Sequence, residues 1–247
     1  LAPAPVYWIT IQEHFDDMVI GTYGRGFYIL DDISPFREMA NSNQNEVHFM
    51  PIQDAYRFQQ IQSMKNDGTS LIRGQNPSYG ANIDFFLPDT NNQKVTISIQ
   101  DLSGNEIRKI TPRKITAGVN RIMWDLRYER TKTPKLKVNP YDVDWVTYNE
   151  DGWRPLRTWD IDVNNGKLGP KAIPGDYQAV LNIDGEKYNQ TFQVLKDPNT
   201  AGSLKDIKAQ FKYLMKLRSV INNNVDLINK IEEIRFSLQN NYENSSE

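Results

Sequence analysis

The amino-acid sequence predicts a mainly β protein, an antiparallel sandwich preceded by short strands and followed by an amphipathic helix. Three observations carry this expectation. Short β-rich runs separated by glycines fill Val6 to Ile33. Apolar and polar residues alternate between turn-forming residues from Ala81 to Leu195, the period of strands with one buried face. After Ser203 the apolar period lengthens to three and four, the stripe of a helix.

Taken in order, Val6 to Ile11, Asp17 to Thr22 and Phe27 to Leu30 have strand chemistry, and Gly21, Gly24 and Gly26 permit the turns between them. Two or three such strands cannot bury both faces alone, so this first part, 1–50, must pack on something else. Pro35 and Met39 to Asn45 mark a break, and 51–79 reads as a polar linker. Within 80–198 the expected strands are Ala81 to Leu87, Lys94 to Gln100, Glu106 to Ile110, Gly118 to Leu126, Gly175 to Ile183 and Lys187 to Leu195. Val95, Ile97 and Ile99 mark one inward face, and Tyr177, Ala179, Leu181 and Ile183 another. The pair Asp184-Gly185 signals a two-residue hairpin. Strands at such regular spacing point to a sandwich. A segment at about 128–173, too long for a hairpin loop, interrupts them and holds Tyr141, Trp145, Tyr148, Trp153 and Trp159.

The tail, 199–247, carries Ile207, Phe211, Leu214, Leu217, Ile221, Val225, Ile228 and Ile231 at helical spacing. Ser203 suits an N-cap, with Asp206 three residues on in the place of the usual Glu or Gln. Asn222, Asn223 and Asn224 are poor helix formers, which leaves a single helix and a helical hairpin both open.

Composition excludes several functions. The 247 residues carry 29 Lys+Arg against 31 Asp+Glu, a net charge of -2, so no basic footprint for nucleic acid is present. No cysteine occurs, which removes disulfides, thiol nucleophiles and cysteine zinc sites, and only His14 and His48 could supply imidazole. No apolar run approaches the roughly 20 residues of a membrane-spanning helix. The chain opens at Leu1 without an initiator Met or a signal-peptide pattern, the expectation for a piece of a longer protein. No cofactor is implied: the run Gly21-Thr22-Tyr23-Gly24-Arg25-Gly26 fits neither the dinucleotide nor the Walker pattern.

The stretch from Asp17 to Ile33, DMVIGTYGRGFYILDDI, resembles the closing strands of the propeller in large bacterial proteins related to sortilin and to bacterial-neuraminidase-repeat glycosyl hydrolases. In that family a sandwich follows the propeller. Ala117 to Arg127 and Pro174-Gly175-Asp176-Tyr177 are similar to such a sandwich, and to the immunoglobulin-like or fibronectin type III-like module of flagellar hook-capping proteins. The resemblance implies an exported protein, periplasmic or at the cell surface, whose remaining blades are the partner of the first segment. The Asp-box pattern, Ser-x-Asp-x-Gly-x-x-Trp, occurs nowhere in the chain, and the catalytic residues of propeller glycosidases lie on blades outside it. None can be carried over.

Candidate sites are therefore binding sites. Trp145, Tyr148, Trp153 and Trp159 are the first, since sugar rings and protein partners both stack on exposed aromatic faces. The same rings read first as a cover for an open side of the sandwich or the propeller junction. Arg25 could meet an anionic ligand, or pair with Asp31 or Asp32 to pin the blade. Asp160, Asp162 and Asn164 place oxygen atoms at alternate positions, as calcium loops do. Asn165 stands where such a loop needs Gly and Lys171 where it needs Glu, so the segment reads first as a polar loop. Three functions follow: a non-catalytic module of a larger propeller protein, a carbohydrate-binding accessory domain, or an interaction scaffold. The last would use the helix, and self-association would weaken on making Phe211 or Leu214 polar.

Overall fold

The alternating residues of Ala81–Leu87, Val95–Asp101 and Gly175–Ile183 form strands that turn one apolar face inward. The computed structural model describes residues 3–58, 76–89, 94–140, 143, 145–156 and 166–244. It divides into two units, one from Leu1–Leu126 with Pro174–Pro198, the other from Arg127–Ile173 with Asn199–Glu247.

The first unit begins with an antiparallel meander of β1 (Val6–Gln12), β2 (Asp17–Thr22) and β3 (Phe27–Leu30), in that spatial order. Helix α1 (Ser34–Asn41) follows. The break expected at Pro35 is instead a helix start: proline sits in the first turn, where its missing N–H costs nothing. The sandwich has two sheets. One, in the order β4-β6-β9, contains β4 (His48–Phe49), β6 (Ala81–Leu87) and β9 (Gly118–Trp124). The other contains β5 (Ala55–Arg57), β7 (Val95–Asp101), β8 (Glu106–Ile110), β10 (Gly175–Ile183) and β11 (Glu186–Lys196), in the order β5-β11-β10-β7-β8. Strand β5 runs parallel to β11, while the other sheet pairings are antiparallel.

Between the sheets lie Ile83, Phe85 and Leu87 of β6, Ile97 and Ile99 of β7, and Leu181 of β10, all fully buried. Trp124 fills the end of this core, its ring centroid 5.6 Å from Tyr177 and 5.9 Å from Phe192. Close packing there dictates a glycine: a Cβ on Gly80, at φ +147°, would lie 2.0 Å from the Trp124 carbonyl oxygen. The hairpin between β10 and β11 turns at Asp184 and Gly185, with φ of 50° and 103°, the two left-handed residues that its sequence predicts.

The second unit joins the inserted segment to the tail. The insertion leaves and returns as a pair of antiparallel passes: the Tyr128 N–H donates to the Pro170 carbonyl at 2.9 Å and the Thr131 N–H to that of Lys167 at 3.0 Å. The tail is one helix, α2 (Leu204–Asn244), of 41 residues. Its start is capped reciprocally, with the Asp206 N–H donating to Ser203 Oγ at 3.2 Å and the Ser203 N–H to Asp206 Oδ2 at 3.1 Å. The three asparagines do not bend the chain into a hairpin, because Asn222 finds a partner outside the helix: its Oδ1 accepts the Lys132 N–H at 2.9 Å.

Candidate functional site

Alternation along β6 sends Asn82 and Asp84 to the side opposite Ile83 and Phe85, away from the sandwich core. Register then places Arg121 of β9 directly beside Asp84. The guanidinium grips that carboxylate with two bonds, Nε at 2.8 Å and NH2 at 3.0 Å. It also reaches Asp32 Oδ2 at 3.0 Å and donates to the Asp31 and Asp32 carbonyls. Asp32 gathers the rest: its carboxylate accepts from Ser34, Gln53, Asn82 and Arg121. Its own N–H donates to Asp17. Backbone φ at Asp32 is +54°, a left-handed geometry that aspartate tolerates better than most residues.

Burial pushes the Asp84 carboxyl above its ordinary range, and the Arg121 bond and charge pull it back without cancelling the shift. The same contacts, against the opposing effect of burial, hold Arg121 protonated more firmly than usual. What the arrangement does is fasten the first segment onto the β4-β6-β9 sheet. Beside it opens a cavity of about 320 Å³, whose lining includes Phe15, Tyr56 and Phe58 as well as Asp17 and Asp32. Tyr56 and Phe58 stack at 5.3 Å between centroids, and Phe15 meets Tyr56 edge-on at 6.1 Å.

The meander presents the opposite chemistry. Trp8 is 70% exposed and Phe27 72%, and Tyr7, Ile9 and Ile29 are exposed as well. Tyr7 stands at a bulge, but Trp8 and Ile9 follow it in regular register and point to opposite faces, so both faces of the meander carry exposed apolar side chains.

Arg25 lies exposed in the turn between β2 and β3. The cation that meets Asp32 is Arg121, 89 residues further along the chain, rather than the nearby Arg25. Trp145 is 74% exposed. The Tyr148 hydroxyl donates to Asn139 at 2.6 Å, and the Lys135 ammonium stands 4.5 Å over the Trp153 ring. Among the described residues no ring contact links Trp145, Tyr148 and Trp153. Trp159, Asp160, Asp162 and Asn164 fall outside the described residues.

Helix α2 holds the inserted segment through a row of polar side chains that sequence periodicity does not single out. Asn222, Asn229 and Glu232 recur at about two-turn spacing or less on one side. Asn229 Oδ1 accepts the Lys135 N–H at 2.7 Å. Glu232 Oε2 accepts those of Lys137 and Val138 at 2.8 and 3.1 Å. Burial alone would raise the Glu232 carboxyl, but these two N–H groups and Arg235 outweigh it and hold the group below the ordinary glutamate range. Phe211, on the same side, packs on Tyr128 with centroids 4.9 Å apart.

Among the described residues no group of three or more His, Asp or Glu side chains is placed to hold a metal ion. Among the described residues no helix is long and apolar enough to cross a membrane. Comparison of the chain with protein-family models, curated proteins and solved structures returned no match.

Proposed function

We propose that the chain serves as a non-catalytic structural and binding module, the C-terminal part of a larger exported β-propeller protein related to glycosyl hydrolases. The observation that carries this reading is the β1 to β3 meander, whose apolar side chains are open on both faces. A sheet with two apolar faces is stable only when further layers cover it, as neighbouring blades cover each other in a propeller. The fastening of this meander by Arg121, Asp32 and Asp84 fits a role as the fixed joint between such a propeller and the sandwich. The sandwich itself we assign to the immunoglobulin-like, fibronectin type III-like class, on the order β4-β6-β9 facing β8-β7-β10-β11.

Two measurements test the proposal. The coding sequence upstream of Leu1 is expected to encode further antiparallel blades in the same reading frame, and an unrelated fold there overturns the reading. Purified chain is expected to release no chromophore from aryl glycosides; turnover abolished by changing a single carboxylate of the chain would refute the non-catalytic assignment.

A second reading, carbohydrate binding, rests on the exposed indole of Trp145. A glycan array with Trp145→Ala as control decides it, and signal equal to background removes it.

A further inference from the structure

Helix α2 has a second apolar stripe, opposite the side that holds the inserted segment. We infer that this stripe is the seam of a parallel two-stranded coiled coil formed with a second copy of the chain. The inference goes beyond the terminal-module reading and stands or falls without it.

From Tyr213 to Leu238 the spacing alternates four, three, four, three without interruption, the heptad repeat that winds two helices into a left-handed supercoil. Leu217, Asn224, Ile231 and Leu238 take one set of seam positions, the a set; Tyr213, Val220, Leu227 and Ile234 take the other, the d set. All eight are exposed, Leu227 at 57%, Ile231 at 47% and Leu238 at 64%. The stripe read from sequence alone runs in part through Phe211 and Val225, which turn toward the inserted segment's side. At 100° per residue, position 227 lies on the opposite side of the helix from position 222, which holds Lys132. Pairing at the seam therefore leaves the internal contacts untouched.

One feature selects an identical partner. It is Asn224, an uncharged polar residue in the middle of an apolar seam. In a parallel, in-register pair of identical helices it faces itself, and its amide donates to and accepts from its twin. In an antiparallel pair, a residues face d residues, and Asn224 would be buried against an aliphatic side chain with its amide unsatisfied. The flanks add apolar surface and a few charges of one sign. Leu214, Ile221 and Ile228 on one side, and Ala209, Asn223 and Ser237 on the other, are uncharged, whereas Lys216, Lys230 and Arg235 are the charges beside the seam. Lys230 and Arg235 meet across an identical pair, an exposed repulsion weakened by salt, so association should strengthen as salt rises.

The area is sufficient. If each seam side chain and the flanking Leu214 and Ile228 cover about 80 Å², as for a leucine moving out of water, two helices bury about 1,600 Å². That falls within the range of about 1,200–2,000 Å² for stable interfaces.

The test uses the full chain in sedimentation equilibrium. A species of twice 28.6 kDa is expected at about 10 μM. Leu227→Lys with Ile231→Lys should raise the dissociation constant by about 100-fold or more. Both positions are exposed in the single chain, so circular dichroism should be unchanged and loss of folding is separable from loss of pairing. Because the chain has no cysteine, Leu217→Cys reports orientation: side-by-side partners oxidise to a covalent dimer, whereas antiparallel ones hold the two thiols several turns apart. Asn224→Ile should tighten association and admit higher oligomers. A monomer at every concentration, or a dimer indifferent to the two lysines, overturns the proposal. A dimer that the lysines dissolve but Leu217→Cys fails to cross-link overturns the parallel register.

Discussion

Glu232 offers the sharpest test of how the second unit is held together. The side chain is 4% exposed, and its Oε2 is the acceptor for two backbone N–H groups of the inserted segment, those of Lys137 and Val138. In Glu232→Ala both donors lose their partner in a site that water reaches poorly, at about 1–3 kcal/mol for a buried orphan. The Arg235 contact adds little, since that guanidinium is half exposed. The expected destabilisation of the segment is thus about 2–4 kcal/mol. Glu232→Gln keeps an oxygen to accept from both groups and loses only the charge, and about 1 kcal/mol is expected. Amide hydrogen exchange at Lys137 and Val138, corrected for intrinsic rates, reads the local opening directly. The pH dependence has a definite sign. The folded carboxyl titrates below its unfolded value, so its contribution is complete above the ordinary glutamate range and is lost as pH falls through the folded value. Protection should therefore decline on acidification in wild type and stay flat in Glu232→Gln. Equal protection in wild type and Glu232→Ala would refute the assignment of this carboxylate as the clamp.

Other substitutions probe the first unit. Arg121→Ala strands Asp84 and Asp32 without their cation and should cost about 3 kcal/mol in urea unfolding, most of it at the junction between meander and sandwich. Trp124→Ala empties the end of the core and should cost about 3–5 kcal/mol, read as a lower unfolding midpoint at unchanged slope. Gly80→Ala should be at least as damaging as an ordinary core deletion, more than about 2 kcal/mol, because both φ and the Trp124 carbonyl oppose a Cβ.

The sandwich strands were legible because each buries one face. Val95, Ile97 and Ile99 could alternate with polar residues only if one side met water, and Asp184-Gly185 marked where two such strands turn. Strands β4 and β5 were not, since two or three residues carry no period, and β5 lies within a segment that reads as linker. The Asp32, Asp84 and Arg121 cluster was equally hidden. Its members are 37 and 89 residues from one another through Arg121, and only sheet register brings them together. Helix α2 was predicted from its period, yet the period alone did not separate the two stripes that run along it. Asn222, Asn223 and Asn224 read only as poor helix formers, and nothing in the sequence marked Asn229 or Glu232, because the partners of Asn222, Asn229 and Glu232 lie in the backbone of another segment.

The strand order has a consequence for association. A terminal strand offers unpaired N–H and C=O groups to any other strand, and proteins guard against this with brevity and charge. The larger sheet ends in β5, of three residues, and in β8, which carries Glu106, Arg108 and Lys109 within five. Both margins discourage further pairing. Strand β1, by contrast, is the outer strand of the meander, and its seven residues Val6–Gln12 contain no charge. If uncovered, it is the place from which this chain would add strands to itself, so a lysine at Trp8 or Thr10 should slow aggregation of the purified chain while leaving the sandwich intact.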